Sequence, residues 1–289
     1  MSENKLDLIF KAYDIRGIFG DTLTPEIAYK IGFAYAEFVD SKKIIIGHDG
    51  RLSNKDMLNA VASGIKKNNK SILYIGTVPT DVVYSLSGMK DMPGIVITAS
   101  HNPKEWTGLK LCNKGATPIG IETGLLEIKN KVANLNIDID IQNNFEEENI
   151  VDSYIEHLNS IVETRNINDS ISFGIDAGNG ALGSVIEKLE NSYNLNFDSL
   201  YMDVDGNFPN HPADPSDENN LKELKALVIE KNKAFGVAFD GDADRAVFID
   251  NLGNLISGSL MTAIISDWLN EKKDNIKIVH NVNVSPSVV

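Results

Sequence analysis

Short apolar runs rich in isoleucine and valine alternate along this chain with longer stretches whose apolar residues recur at helical spacing. In the N-terminal half the runs are Lys43–Gly47, Ser71–Ile75 and Gly94–Thr98, continuous enough to predict parallel strands buried on both faces. Helical patterns cover Pro25–Asp40, Asn54–Lys67 and Pro79–Ser87. A polar segment, Ile137–Asn149, interrupts the alternation and reads as a connection leading into a helix over Ile150–Glu163. The alternation then resumes, with strands predicted at Ser172–Asp176, Phe197–Met202, Phe235–Phe239 and Ala246–Ile249, and helices at Ala181–Glu190 and Asn219–Lys231. A helix over Ser259–Asn270 and a strand over Lys277–Val282 follow. One helix and one strand cannot bury their own apolar faces. The pattern therefore predicts an α/β protein with domains at residues 1–145 and 146–252 and the beginning of a third at 253–289.

Composition changes that picture only by exclusion. Hydrophobic residues make up 42% and charged residues 24%, as in ordinary globular chains. The N-terminal MSENKLDLIFKAYD offers no apolar stretch fit for a signal peptide, and no run is long enough to span a membrane. The single cysteine, Cys112, permits no intramolecular disulfide and reads as a small core residue of a cytoplasmic protein. A formal net charge of −14 argues against nucleic acid or an anionic membrane as partner. An anionic substrate would need local cations or a metal to overcome that field.

Candidate chemistry gathers at strand ends, where open α/β sheets bind their ligands. After the run at 94–98 comes Thr98-Ala99-Ser100-His101-Asn102-Pro103. These are turn residues, and they also place a serine hydroxyl beside a histidine able to move protons. The flanking glycines of a hydrolase nucleophile elbow are missing. Gly108 would let the backbone turn back so that Lys110 faces the same space.

After the run at 235–239, Asp240, Asp242 and Asp244 repel one another unless something positive sits among them. Apolar runs on both sides weaken the reading of a solvated acidic turn. An EF-hand is excluded, because its sixth and twelfth positions would be Arg245 and Asn251. Three carboxylates suit Mg²⁺, and the neighbouring Arg245 suits a phosphate. Gly178, Gly180 and Gly183 match G-x-G-x-x-G, with Asp203 about 20 residues beyond the strand, as in a nucleotide-binding turn. The same glycines also suit a plain tight turn from strand to helix. Near the N-terminus Arg16 is either a surface residue after a first strand that turns at Gly17, or a phosphate contact. Gly47–Arg51 reads as a turn, and His48, His157, His211 and His280 show no metal-ligand spacing.

Taken together, KAYDIRG (11–17), GHDGR (47–51), TASHNP (98–103), GLKL (108–111), DAGNGALG (176–183), HPADPSDENNL (211–221) and DGDADR (240–245) resemble the α-D-phosphohexomutase family of phosphomannomutase and phosphoglucomutase type. The resemblance implies two successive mixed or parallel-sheet α/β domains plus an incomplete third. It implies that Ser100 carries the exchanged phosphoryl group, and that Asp240, Asp242 and Asp244 hold Mg²⁺ with a phosphate oxygen on Ser100. Arg16 and Lys110 would border that group, His101 and Lys110 would move protons, and Arg245 would align the metal loop. The implied reaction interconverts hexose 1-phosphate and hexose 6-phosphate, of mannose or glucose, through a 1,6-bisphosphate that also serves as activator. Two departures stand out. His48 replaces an arginine common in the family, and the family's sugar-recognition and phosphate-binding loops of domains three and four have no counterpart in these residues. Little or no turnover is therefore expected of the 289-residue chain alone. A metal-dependent phosphatase, an inert fragment and a nucleotide-binding domain are the competing readings.

Overall fold

The computed structural model describes residues 5–143, 145–162, 170–272, 276–280 and 284–285. The first unit contains α1 (Lys5–Ile9), β1 (Ile15–Ile18), α2 (Pro25–Phe38), β2 (Lys43–His48), α3 (Asn54–Lys67), β3 (Ser71–Thr77), α4 (Thr80–Lys90), β4 (Gly94–Ile97), β5 (Trp106–Asn113), β6 (Thr117–Pro118) and α5 (Leu125–Asn134). Its strands order as β1-β5-β4-β2-β3, with β6 beside β5. The three isoleucine-rich runs are parallel neighbours, as their two-sided burial requires. On the far side β5 runs antiparallel to both β4 and β1, so the sheet is mixed.

Two glycines do other work than the sequence suggested. Gly17 lies inside β1, opposite Thr107, and makes no turn. Gly108 lies inside β5, and the chain reverses earlier, between Ser100 and Glu105. A Cβ at 108 would stand 2.3 Å from Ile15 O and 2.7 Å from Thr98 O, so glycine is needed for the close approach of three backbones. Backbone atoms cannot swing aside as side chains do. Gly108→Ala is expected to cost about 3 kcal/mol of stability, read as a lowered urea midpoint.

The second unit contains α6 (Val151–Ile161), β7 (Ser172–Asp176), α7 (Ile186–Tyr193), β8 (Asn196–Leu200), α8 (Lys222–Glu230), β9 (Phe235–Phe239), β10 (Ala246–Asp250) and β11 (Leu255–Ile256), and α9 (Gly258–Lys272) follows it with no buried residue. Its strand order is β11-β10-β9-β7-β8, parallel through β8, β7 and β9 and antiparallel from β9 to β11. The helices expected from Ala181 and Asn219 open with 3₁₀ turns at Ala181–Ser184 and Glu218–Leu221. Asp217 caps the latter, its carboxylate accepting from Asn219 N at 2.9 Å. Glu163, the last residue of the helix expected from Ile150, lies outside the described residues. The strand expected over Lys277–Val282 is not formed at 277–280, where no partner strand is present among the described residues; 281 and 282 lie outside them.

One apolar core serves both sheets. Ile45, Leu73, Val83 and Val96 from the first sheet and α4 pack in a single cluster with Ile150, Tyr154, Ile175, Val185 and Val237 from the second unit. The other face of the first sheet is covered by α2, α3 and α5, through Ile31, Tyr35, Val61, Ile65 and Ile128. The segment expected as a connection lies along the outer strand, where Glu148 N donates to Tyr74 O at 2.8 Å. This shared core fixes the ends of β4 and β9 against each other. Among the described residues no helix is long and apolar enough to cross a membrane.

Candidate active site

The loop after β4 brings Ser100 to the loop after β9. Ser100 is fully buried, in the left-handed region at φ 54°. A non-glycine residue held there costs on the order of 1–3 kcal/mol and persists only when its surroundings over-determine it. Here they do. Ser100 N donates to Thr98 Oγ1 at 2.8 Å, and Ser100 Oγ donates to Asp240 Oδ2 at 2.6 Å. A Cβ at Gly241 would meet Ser100 O at 2.7 Å, so the two loops touch backbone to backbone.

Asp240, Asp242 and Asp244 form the carboxylate cluster that the sequence marked, with ligand atoms within 4.8 Å of one another. Asp240 and Asp242 are buried. Lys110, on β5, sends its ammonium to Asp242 Oδ2 at 2.6 Å and Asp244 Oδ2 at 2.5 Å. Thr80, at the start of α4, donates to Asp242 Oδ2 at 2.6 Å. Burial alone would raise the Asp242 carboxyl, but the Lys110 charge and the bonds from Lys110 and Thr80 outweigh it and hold it below the usual carboxylate range. Burial and the Asp242 charge push Asp240 up to about 7. Burial also works against the Lys110 ammonium, yet Asp242 and Asp244 raise it above its ordinary value. Asp242 Oδ1 is buried and accepts no hydrogen bond among the described residues. Hard oxygen donors, a like-charge conflict at Asp240 and an unpartnered buried carboxylate oxygen together fit a divalent cation such as Mg²⁺.

The remaining predicted residues surround this centre at different distances. His101 Nδ1 lies 3.4 Å from Ser100 Oγ, and burial, aided by the charges of Arg245 and Arg16, lowers its pKa. It also lines a cleft of about 440 Å³ with Phe208, Pro212, Asp214 and Asp217. Arg245 is half exposed, its Nε 3.9 Å from Asp240 Oδ2 and 4.0 Å from Asp244 Oδ1. Arg16 donates to Asp14 Oδ2 at 2.8 Å and to Asn102 Oδ1 at 2.6 Å, so it grips the serine loop rather than free solvent.

The glycines of 178–183 pack against protein. A Cβ at Gly180 would meet Gly241 O at 2.8 Å, and Ala181 N donates to Gly241 O at 2.9 Å. This turn is thus the floor under the carboxylate loop. His211 Nε2 bonds Asp176 Oδ2 at 3.1 Å beneath the same turn, and the bond to Asp176 raises the His211 pKa. His48 stacks on Tyr74 and bonds its hydroxyl at 2.9 Å.

Two residues escaped sequence reasoning. Thr80 gave no signal, being one threonine at a helix start. Arg51 stood in a segment read as a turn, yet its guanidinium is fully buried and donates to Ser100 O at 2.8 Å. Its position just past the end of β2, level with the other strand-end motifs, was the available clue.

Comparison with known proteins gives the class. Residues 7–136 match the phosphoglucomutase/phosphomannomutase α/β/α domain I, and residues 152–253 match domain II. The phosphomannomutase of Escherichia coli is 33% identical over 97% of this chain and 64% of its own length. That of Vibrio cholerae is 34% identical over 96% of this chain and 62% of its own. A solved structure of a phosphoglucomutase/phosphomannomutase family protein from Burkholderia thailandensis superposes with a TM-score of 0.80 at 28% identity, covering 93% of this chain and 60% of that one. The fold and the paired loops thus define an α/β protein of the phosphoglucomutase/phosphomannomutase class. The chain belongs to the α-D-phosphohexomutase family. It spans just under two thirds of the length of these curated relatives.

Proposed function

We propose that these 289 residues supply the phosphoryl-transfer half of a Mg²⁺-dependent phosphohexomutase acting on mannose or glucose phosphates, in a cytoplasmic setting. The serine-bearing domain would be residues 1–145 and the carboxylate-bearing domain 146–252. The observation that carries the reading is the 2.6 Å bond from Ser100 Oγ to Asp240, made across the two domains. A strained, buried serine aimed at a carboxylate cluster has little structural purpose, whereas a phosphoryl carrier must face its metal.

In loading, a bond forms between Ser100 Oγ and phosphorus as the bond from phosphorus to the sugar oxygen breaks. His101, whose lowered pKa keeps it neutral near pH 7, takes the serine proton. The departing sugar oxygen gains a proton from Lys110. Phosphorylated Ser100 then gives its group to the free hydroxyl of a hexose monophosphate. The 1,6-bisphosphate so formed, turned end for end, returns its other phosphoryl group to Ser100, which leaves the isomeric monophosphate. Asp240, Asp242 and Asp244 would hold Mg²⁺, which supplies charge neutralisation for the phosphoryl oxygens when bound. Arg16 and Arg245 orient the same group as cations.

Remote contacts to the non-reacting end of the sugar come, in this reading, from later domains of the longer relatives. Such positioning is worth roughly 7–11 kcal/mol of barrier. The 289-residue chain is therefore expected to load Ser100 yet interconvert hexose phosphates slowly or not at all. A coupled assay for glucose 6-phosphate from glucose 1-phosphate, run beside an inorganic-phosphate assay, tests this. Turnover matching a full-length relative contradicts the division of labour, and phosphate release without isomer would make the chain a phosphatase.

A further inference from the structure

We infer that Arg51 is a positioning residue for the Ser100 nucleophile, holding the serine loop in register with the carboxylate loop through a contact that the second domain completes. The inference rests on the phosphoserine reading above. It starts from a count of donors. A guanidinium has five N–H bonds in one plane. Arg51 spends Nε on Asp49 Oδ2 at 3.1 Å, Nη1 on Pro103 O at 2.7 Å and Trp106 O at 3.0 Å, and Nη2 on Ser100 O at 2.8 Å and Asn102 O at 2.7 Å. All five are used: three fix carbonyls of the irregular loop at 100–105 and a fourth holds Trp106 O, where that loop enters β5.

The partner acid holds the opposite side of the same residue. Asp49 Oδ2 accepts from Thr98 Oγ1 at 2.8 Å, and Thr98 Oγ1 in turn accepts from Ser100 N at 2.8 Å. The Asp49–Arg51 pair thus governs both backbone polar groups of Ser100, which is how a left-handed serine is maintained. Both side chains are wholly buried. A buried ion pair is a poor way to stabilise a fold, since well-packed apolar residues of similar volume often do better. Its use here is therefore one of placement.

Domain two enters from below. The Phe208 ring lies 5.4 Å from the Arg51 guanidinium carbon, and a Cβ at Gly206 would meet Gly50 O and Leu52 N at 2.6 Å. From that loop Asp205 N donates to Asn179 O at 3.0 Å, and Ala181 N donates to Gly241 O at 2.9 Å. Gly241 lies against Ser100 O, which closes a ring of contacts: serine loop, Arg51, residues 205–208, residues 179–181, carboxylate loop and back. Docking of the second domain on Arg51 and placement of Ser100 against Asp240 are one event.

Lysine cannot replace that fork, since it offers three donors from a single point. The test follows Ser100 phosphorylation in the full 289-residue chain, with Mg²⁺ and glucose 1,6-bisphosphate, by rapid quench and peptide mass spectrometry. In Arg51→Lys the loading rate constant should fall about 100-fold. The final amplitude and the half-saturating bisphosphate concentration should stay within about threefold of wild type. Phe208→Leu, which keeps every carbonyl bond, should slow loading about tenfold with full amplitude. Loss confined to amplitude, or an unchanged rate constant, overturns the proposal; if Arg51→Lys fails to fold, Phe208→Leu decides on the same criteria. If the wild-type chain takes up no phosphate, the phosphoserine reading has failed, and Arg51 is judged by hydrogen exchange. Amides of residues 99–106 should then lose about tenfold protection in Arg51→Lys while those of β2 and β4 keep theirs. Unchanged protection in that loop overturns the positioning role.

Discussion

Ser100→Ala is expected to abolish phosphate uptake from a hexose bisphosphate while leaving the protein folded. The substitution removes one oxygen and its bond to Asp240 Oδ2, and it keeps the Cβ that the left-handed backbone already accommodates. Ser100 N and O keep their bonds to Thr98 and Arg51, because neither uses the side chain. The lost bond leaves a buried carboxylate oxygen short of one donor, which costs about 1–3 kcal/mol. That is a modest fraction of a domain's stability, and Mg²⁺ would recover part of it by binding the same oxygen. Intact mass after incubation should show no added phosphate, and circular dichroism should show an unchanged fold. Phosphate uptake at wild-type level would place the carrier elsewhere in the chain.

Asp242→Asn should do the greatest damage among the three carboxylates. Of the three, Asp242 alone meets both Lys110 and Thr80, it is wholly buried, and its second oxygen accepts no hydrogen bond among the described residues. Neutralising it leaves the Lys110 ammonium with Asp244 only, in a site poor in water. Removing one member of a buried pair costs about 3–5 kcal/mol, and the lower end is expected here because Asp244 stays. A urea titration without Mg²⁺ measures that loss. Loading of Ser100 should vanish at any Mg²⁺ concentration that supports wild type, since one of the three carboxylates proposed to hold Mg²⁺ is gone. Asp244→Asn should be milder in both respects, as that side chain is partly exposed. Equal effects at the two positions would mean that burial does not rank the ligands.

The account of the fold depends on features that sequence carries unevenly. Strands β2, β4 and β9 were legible because burial on both faces leaves an unbroken apolar run. The antiparallel strand β5 was not, and β1 was legible only as far as Gly17, since Gly17 and Gly108 look like turn residues and reveal their steric purpose only against neighbouring backbones. The apolar pattern over Lys277–Val282 predicts a strand, yet among the described residues none of 277–280 is in a strand. In the site, Ser100 and the three aspartates were visible because reactive or mutually repelling side chains at strand ends are costly without a reason. Arg51 and Thr80 were not, because what they bind is unmarked in sequence: carbonyl oxygens in one case, a distant carboxylate in the other. His48 is taken up by the Tyr74 hydroxyl and the Asp49 carbonyl, so both ring nitrogens are engaged away from the carboxylate cluster.

Peptide mass spectrometry of the wild-type chain, after incubation with glucose 1,6-bisphosphate with and without Mg²⁺, decides whether Ser100 carries the phosphoryl group. One phosphoryl group on the peptide containing Ser100, present only with Mg²⁺, is the predicted result. An unmodified Ser100 under both conditions, or phosphate on another residue, would contradict it.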